Sequence, residues 1–201
     1  MCIRDRFGTG NVAAVTFDYG QRHRVEIDCA ARVADAAGVQ QAILPIDTFS
    51  ALGGNALIDD AVAVTSGEDD QLPSTFVPGR NLIFLTYAAA WAWPRGVSHL
   101  VTGVAQTDYS GYPDCRLETM TALCRALSLG MDREFTIHTP LMNLSKKETV
   151  ELAASRGALE AMALTHTCYE GHRPPCGTCP ACVLRAKGFA EAGLADPLTG
   201  V

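Results

Sequence analysis

No apolar run in this 201-residue chain reaches the roughly 20 residues that span a bilayer, and the segment Ile83 to Trp93 stops at Pro94 after about three helical turns. That excludes a helical membrane anchor and leaves a buried helix. There is no charged start followed by an apolar centre and a small-residue cleavage site, so a reducing cytoplasm is the expected compartment. Basic stripes are missing too. A formal net charge of -6 with no run of Lys and Arg argues against tight binding to a phosphate backbone, although a local anion site is compatible with it. Internal repeats, low-complexity tracts and a clear linker are also lacking. Charged residues make up only 19% of the chain and hydrophobic ones 48%, enough to bury the core of one domain plus a small appendage.

Against these absences stand eight cysteines. Cys2, Cys29, Cys115 and Cys124 are scattered, whereas Cys168, Cys176, Cys179 and Cys182 fall within fifteen positions. Clustering of this kind points to metal and not to a secreted disulfide scaffold.

Hydrophobic patterning alternates strand with helix. Val12 to Phe17 is a short run of β-formers that stops at Asp18, Tyr19 and Gly20, and Gln41 to Ile46 and Ser98 to Gly103 read likewise as strands. Between the first two, Val25, Cys29, Val33 and Ala37 recur every four residues, with Gly38 placed for a left-handed helix cap. Asn81 can cap a helix carrying Leu82 to Trp93. Another helix is predicted from about Arg116 to Leu129, with Leu117, Met120, Cys124 and Leu127 on one face and Gly130 closing it. After a short strand at Phe135 to His138, Ser145 and Glu148 form a capping box that starts a helix running to about Arg156. Repeated units of this kind predict an α/β fold with a parallel sheet, whose ligands sit at the carboxyl ends of the strands. Gly53 to Pro73, with its acidic residues Glu68, Asp69 and Asp70, reads as a flexible surface loop. Beyond about Leu164 the composition shifts to Cys, Gly and Pro, which divides the chain into a domain at 1–164 and a metal-bearing appendage at 165–201.

The four clustered cysteines are separated by seven, two and two residues, and Gly171, Pro174, Pro175, Gly177 and Pro180 supply turns that let four thiolates converge. A closed four-thiolate set is the donor set of structural zinc, one ion per chain. An iron–sulfur cluster uses the same ligands, and a redox CxxC is a further alternative. His166 and His172 are near enough to substitute as ligands, but four thiols already fill the shell. FGTGN at Phe7 to Asn11 reads as a turn in preference to a phosphate loop. His23 between Arg22 and Arg24 suits either a phosphate or a solvated helix start. Asp108, Tyr109, Tyr112 and Asp114 form a polar, aromatic loop after a strand end, where a carboxylate can accept two N–H donors from a guanine-like edge. Pro78 to Asn81 places Arg80 at a helix start.

Taken in order, FDYGQRH at Phe17 to His23, FVPGRN at Phe76 to Asn81, DYSGYPDC at Asp108 to Cys115, IHTPL at Ile137 to Leu141, and the cysteine cluster running into LRAKGFAEAG resemble the 7-cyano-7-deazaguanine synthase family. The resemblance covers the chain from about Asn11 to its end. It implies a Rossmann-like parallel sheet of the PP-loop type with a C-terminal zinc appendage, and an ATP-dependent ligase that converts 7-carboxy-7-deazaguanine and ammonia to the nitrile precursor of queuosine. A carboxylate resists ammonia until it is adenylated, and removal of the amide oxygen calls for a second ATP. Magnesium would accompany each ATP. By the same resemblance, Asp108, Tyr109 and Asp114 would recognise the deazaguanine edge and Arg80 would lie near substrate or phosphates. Phe17, Asp18 and Tyr19 would sit against adenine, and the zinc loop would fix His166 to Arg173 as one wall of the site. A homodimer, small-molecule substrates and no nucleic-acid partner are also implied.

One family element has no counterpart. Before the strand at Val12 to Phe17 the family carries an SGGxDS loop that cradles pyrophosphate, and Met1 to Arg6 match nothing of it. The expectation is that the 201-residue chain as written does not turn over. Two alternatives remain beside the main reading: a non-catalytic zinc-binding relative, and a tRNA-thiolating PP-loop enzyme using a cysteine pair outside the cluster, for which Cys115 and Cys124 are the pair to test.

Overall fold

The fold is given by a computed structural model that describes residues 8–59, 61–65, 72–106 and 111–200. After a 3₁₀ turn at Thr9–Asn11 come β1 (Ala13–Asp18), α1 (Val25–Ala37), β2 (Gln40–Pro45), α2 (Phe49–Leu52), α3 (Arg80–Ala92), β3 (His99–Val101), α4 (Leu117–Gly130), β4 (Thr136–His138), α5 (Lys146–Ser155), α6 (Leu159–Met162) and α7 (Pro180–Ala192). Further 3₁₀ turns lie at Trp93–Arg95 and Pro113–Cys115. Every strand and long helix expected from the hydrophobic pattern is present, with bounds that move by one to three residues. The chain divides into two compact units, Met1–Phe76 with Ser145–Val201, and Val77–Leu144.

In the first unit β1 and β2 pair in parallel from Ala13 opposite Gln40 to Asp18 opposite Pro45. The helix that crosses between them, α1, packs on both strands. Its buried positions are Ile27, Cys29 and Ala34, while Val25, Val33 and Ala37 are only half-buried. The apolar stripe is therefore rotated from the four-residue ladder read in the sequence, with Cys29 common to both. Gly38 ends the helix at φ 65, its N–H bonded to the carbonyls of Ala34 and Asp35.

The expected surface loop after Gly53 is partly an interior segment. Asn55, Ala56 and Leu57 are buried, and their polar groups find partners both locally and at a distance. Asn55 Oδ1 accepts from Leu57 N at 3.1 Å, Ala56 N donates to Ser74 O, and Leu57 O accepts from Arg22 N at 2.8 Å. Glu68, Asp69 and Asp70 lie outside the described residues.

Helices α5 and α7 pack closely in the same unit. A Cβ on Gly188 would lie 2.8 Å from Lys146 Cβ, so the two helices meet where α7 has no side chain. The capping box that starts α5 is formed, with Glu148 N donating to Ser145 Oγ at 3.2 Å and Ser145 N to Glu148 Oε2 at 2.8 Å.

The second unit pairs β3 with β4 in parallel, His99 opposite Thr136 and Val101 opposite His138. Helices α3 and α4 pack on these strands and on each other around Leu85, Ala89, Leu100, Met120, Leu127 and Phe135. Leu117, expected on the buried face of α4, is instead exposed at its first turn. Among the described residues no helix is long and apolar enough to cross a membrane.

Candidate metal centre and ligand-binding residues

Two short segments and one helix start bring the clustered cysteines together. Cys168 follows the irregular stretch after α6, Cys176 sits in the glycine- and proline-rich turn, Cys179 is the N-cap of α7, and Cys182 lies in its first turn. Their Sγ atoms all lie within 4.8 Å of one another. Three are buried and Cys176 is half-buried. Backbone N–H groups point at the sulfurs: Cys179 N at 3.3 Å from Cys176 Sγ, Tyr169 N at 3.4 Å from Cys179 Sγ, and Cys176 N at 3.5 Å from Cys168 Sγ. Such donors favour thiolates.

The two titrations that depart from ordinary behaviour pull in opposite directions. Hydrogen bonds from the Cys179 and Thr178 backbone hold the Cys176 thiol down at about 6. Burial, and then the neighbouring Cys179, push Cys182 up. Four sulfurs this close, three of them buried, cannot all ionise without a cation among them, so the donor set fits a soft, four-coordinate metal ion. No histidine joins the set. His166 Nε2 lies 2.8 Å from Cys168 O, and because a carbonyl only accepts, that nitrogen carries the proton. Burial comes first in lowering the His166 pKa, and Arg173 and His23 act in the same direction.

The chain entering and leaving the cluster is held by Arg185 of α7. Its guanidinium grips Asp196 with two bonds, Nε to Oδ2 at 2.6 Å and Nη2 to Oδ1 at 2.7 Å. The same group reaches Thr165 Oγ1 at 2.8 Å, Thr167 Oγ1 at 3.1 Å and Met162 O at 3.1 Å, and it stacks over Phe189. One buried charge pair therefore fixes the segment leading into Cys168 against the tail beyond α7. Sequence reading passed over Arg185, since an arginine in an amphipathic helix is ordinarily solvated and Asp196 lies eleven residues away.

Of the expected substrate residues, Asp108 and Tyr109 lie outside the described residues. Arg80 is the first residue of α3, as expected, but the helix is not capped by Asn81. Gly79 holds the N-cap position at φ 71, and Asn81 lies inside the first turn. Its backbone N and side-chain Nδ2 both donate to Asp114 Oδ2, at 2.9 and 3.0 Å. The buried Asp114 thus supplies a capping carboxylate from 33 residues downstream and joins the FVPGRN motif to the DYSGYPDC motif.

At the carboxyl end of β1, Asp18 pairs with Arg24, and its carbonyl accepts from Ile46 N. Tyr19 is buried with its ring edge-on to Phe49, centroids 5.6 Å apart, and its N–H donates to Gln21 Oε1 at 2.9 Å. Phe17 is half-buried in the strand. Across the other strand pair, His99 Nδ1 and His138 Nε2 are 3.1 Å apart, a contact that no sequence spacing announced.

Parallel strands with crossover helices, and four cysteines near the C-terminus placed so that they could hold a metal ion, define an α/β protein with a candidate metal-binding appendage. The family model of the queuosine biosynthesis protein QueC matches residues 4–193. A 7-cyano-7-deazaguanine synthase of Chromobacterium violaceum is 68% identical over 195 residues, covering 96% of this chain and 83% of that protein. Similar proteins of the same name occur in Laribacter hongkongensis, 64% identical over 93% of this chain and 82% of the relative, and in Lysinibacillus sphaericus, 49% identical over 94% and 86%. The chain belongs to the QueC family.

Proposed function

We propose that the protein converts 7-carboxy-7-deazaguanine and ammonia to 7-cyano-7-deazaguanine, using ATP with magnesium, as a ligase of queuosine biosynthesis. The observation that carries this reading is the 68% identity, over 96% of the chain, to a relative named for that product.

In this proposal the deazaguanine edge meets Asp114 together with Asp108 and Tyr109. Asp114 Oδ2 is engaged by Asn81, whereas Oδ1 takes only a long contact from Cys115 Sγ at 3.9 Å, so Oδ1 is the oxygen that would accept from the substrate. Arg80, at the start of α3, would offset negative charge on substrate or phosphates, where the helix N-terminus already favours anions. Phe17, Asp18 and Tyr19 would face the nucleotide through their backbone, since the Tyr19 ring is spent against Phe49. The ion held by Cys168, Cys176, Cys179 and Cys182 would be one structural zinc per chain, in the segment 165–201 that follows the nucleotide-binding domain 1–164. Bound there, zinc would supply charge neutralisation for four thiolates and no open coordination position. A homodimer in a reducing cytoplasm completes the proposal.

The test uses protein expressed from its whole reading frame, supplied with 7-carboxy-7-deazaguanine, ammonium and magnesium ATP. Mass spectrometry is expected to find the nitrile, with AMP released. Absence of nitrile from metal-loaded protein overturns the reading. Elemental analysis of the same sample distinguishes zinc from iron, and an iron–sulfur absorbance would replace the zinc assignment.

A further inference from the structure

We propose that the hairpin between Cys168 and Cys176 is the seat of His23, so that metal binding by the four cysteines and the position of the His23 imidazole are coupled. Gly171 closes the turn that begins at Cys168, with φ +68 and its N–H donating to Cys168 O at 3.1 Å. A Cβ at that position would lie 2.8 Å from His23 Cε1 and closer still to Nδ1 and Cγ, so the imidazole rests directly on the Gly171 backbone. A second contact ties the same two segments. Arg173 Nη1 donates to Cys29 Sγ at 2.9 Å, and Cys29 is buried on α1, the helix that begins two residues after His23. Arg173 Nη2 also reaches Ala163 O at 3.5 Å, on the chain leading into the hairpin.

The hairpin therefore touches the segment from the end of β1 into α1 at two points six residues apart, His23 and Cys29. Its own conformation is closed at both ends by metal ligands. With four thiolates drawn to one ion, Gly171 and Arg173 are fixed and the imidazole is held; with the ion removed, the cross-link that closes the segment at both ends is gone. His23 stands just beyond the carboxyl end of β1, where parallel α/β sheets take their ligands. What His23 would face there rests on the function proposed above, but the coupling itself does not. Gly171 is in these terms a positioning residue, acting through His23.

A double-mutant cycle tests this. Zinc affinity is measured by competition with a chromophoric chelator for the parent protein, Gly171→Ala, His23→Ala and the double variant. Gly171→Ala is expected to weaken zinc about tenfold, and that loss should shrink to about twofold or less when His23→Ala has removed the imidazole. An equal loss in both backgrounds would show backbone strain at Gly171 alone and overturn the proposal. A second measurement needs no hairpin variant. The His23 imidazole resonances, assigned by their loss in His23→Ala, should move when zinc is stripped from the parent protein, and unchanged resonances would overturn the coupling. Failure of the parent to take up any metal would overturn the metal reading itself, a result separate from either of these.

Discussion

Between Val77 and Leu144 the chain is held by apolar contact, with Leu85, Ala89, Leu100, Met120 and Phe135 buried among one another. Between Met162 and Asp196 the same work falls to four sulfurs and one arginine, and the only large buried apolar side chain there is Phe189. The first arrangement is non-directional and spread over many side chains, so each loss is partial. The second is directional and concentrated, so a single lost group strands several others. That contrast predicts how damage should scale in each region.

The largest effect is expected from the metal. Zinc binding in small cysteine modules contributes about 10 to 16 kcal/mol of apparent free energy, so chelation should strip amide protection from residues 165–200. Hydrogen exchange in α3 and α4 should be altered far less; equal loss in both regions would erase the contrast. Next comes Arg185→Met, which leaves Asp196 buried without its partner and should destabilise by about 3–5 kcal/mol in urea unfolding. Burial would raise the Asp196 pKa, but the Arg185 bonds and charge override it and bring the group below its ordinary value near 3.8. The folded value lies below the unfolded one, so this stability is present above about pH 4 and is lost as pH falls through the folded value. Melting curves below pH 4 should therefore drop less steeply for Asp196→Asn than for the parent protein.

Met120→Ala, at a position 2% exposed, should cost about 2–5 kcal/mol through cavity formation while leaving zinc affinity as it was. A fall in zinc affinity would mean that the two regions are not separate in the way drawn here. Asp114→Asn should have the smallest effect on stability, about 1 kcal/mol, because it keeps an acceptor for Asn81 and loses only the charge at the helix start. If Asp114 also meets substrate, KM should rise by more than that destabilisation explains.

Much of this contrast is legible in the sequence. Strand and helix alternation is a local signal, so β1 to β4, α1, α3, α4 and α5 could be read from it, and the cysteine spacing announced four sulfurs close enough to hold an ion. What sequence reading missed is non-local. Asn81 has the chemistry of a cap, yet Gly79 takes that position and Asp114, 33 residues on, does the capping. Asn55 to Leu57 looked like surface because two glycines precede them, but the Asn55 side chain and the distant Ser74 and Arg22 backbones satisfy groups that burial would otherwise strand. The Arg185 pair was hidden for the same reason, since nothing near Asp196 in the sequence marks it as a partner.

Gly188 carries a further implication for how this chain can change. In the middle of α7 glycine is a poor choice, about 1 kcal/mol worse than alanine by intrinsic preference. The close approach of Lys146 removes the alternative, because even one methyl group would meet the Lys146 Cβ at 2.8 Å. In a saturation scan Gly188 should stand out as an intolerant site beside permissive neighbours such as Lys187 and Ala190. Its intolerance would record the crossing of two helices, and not contact with any ligand.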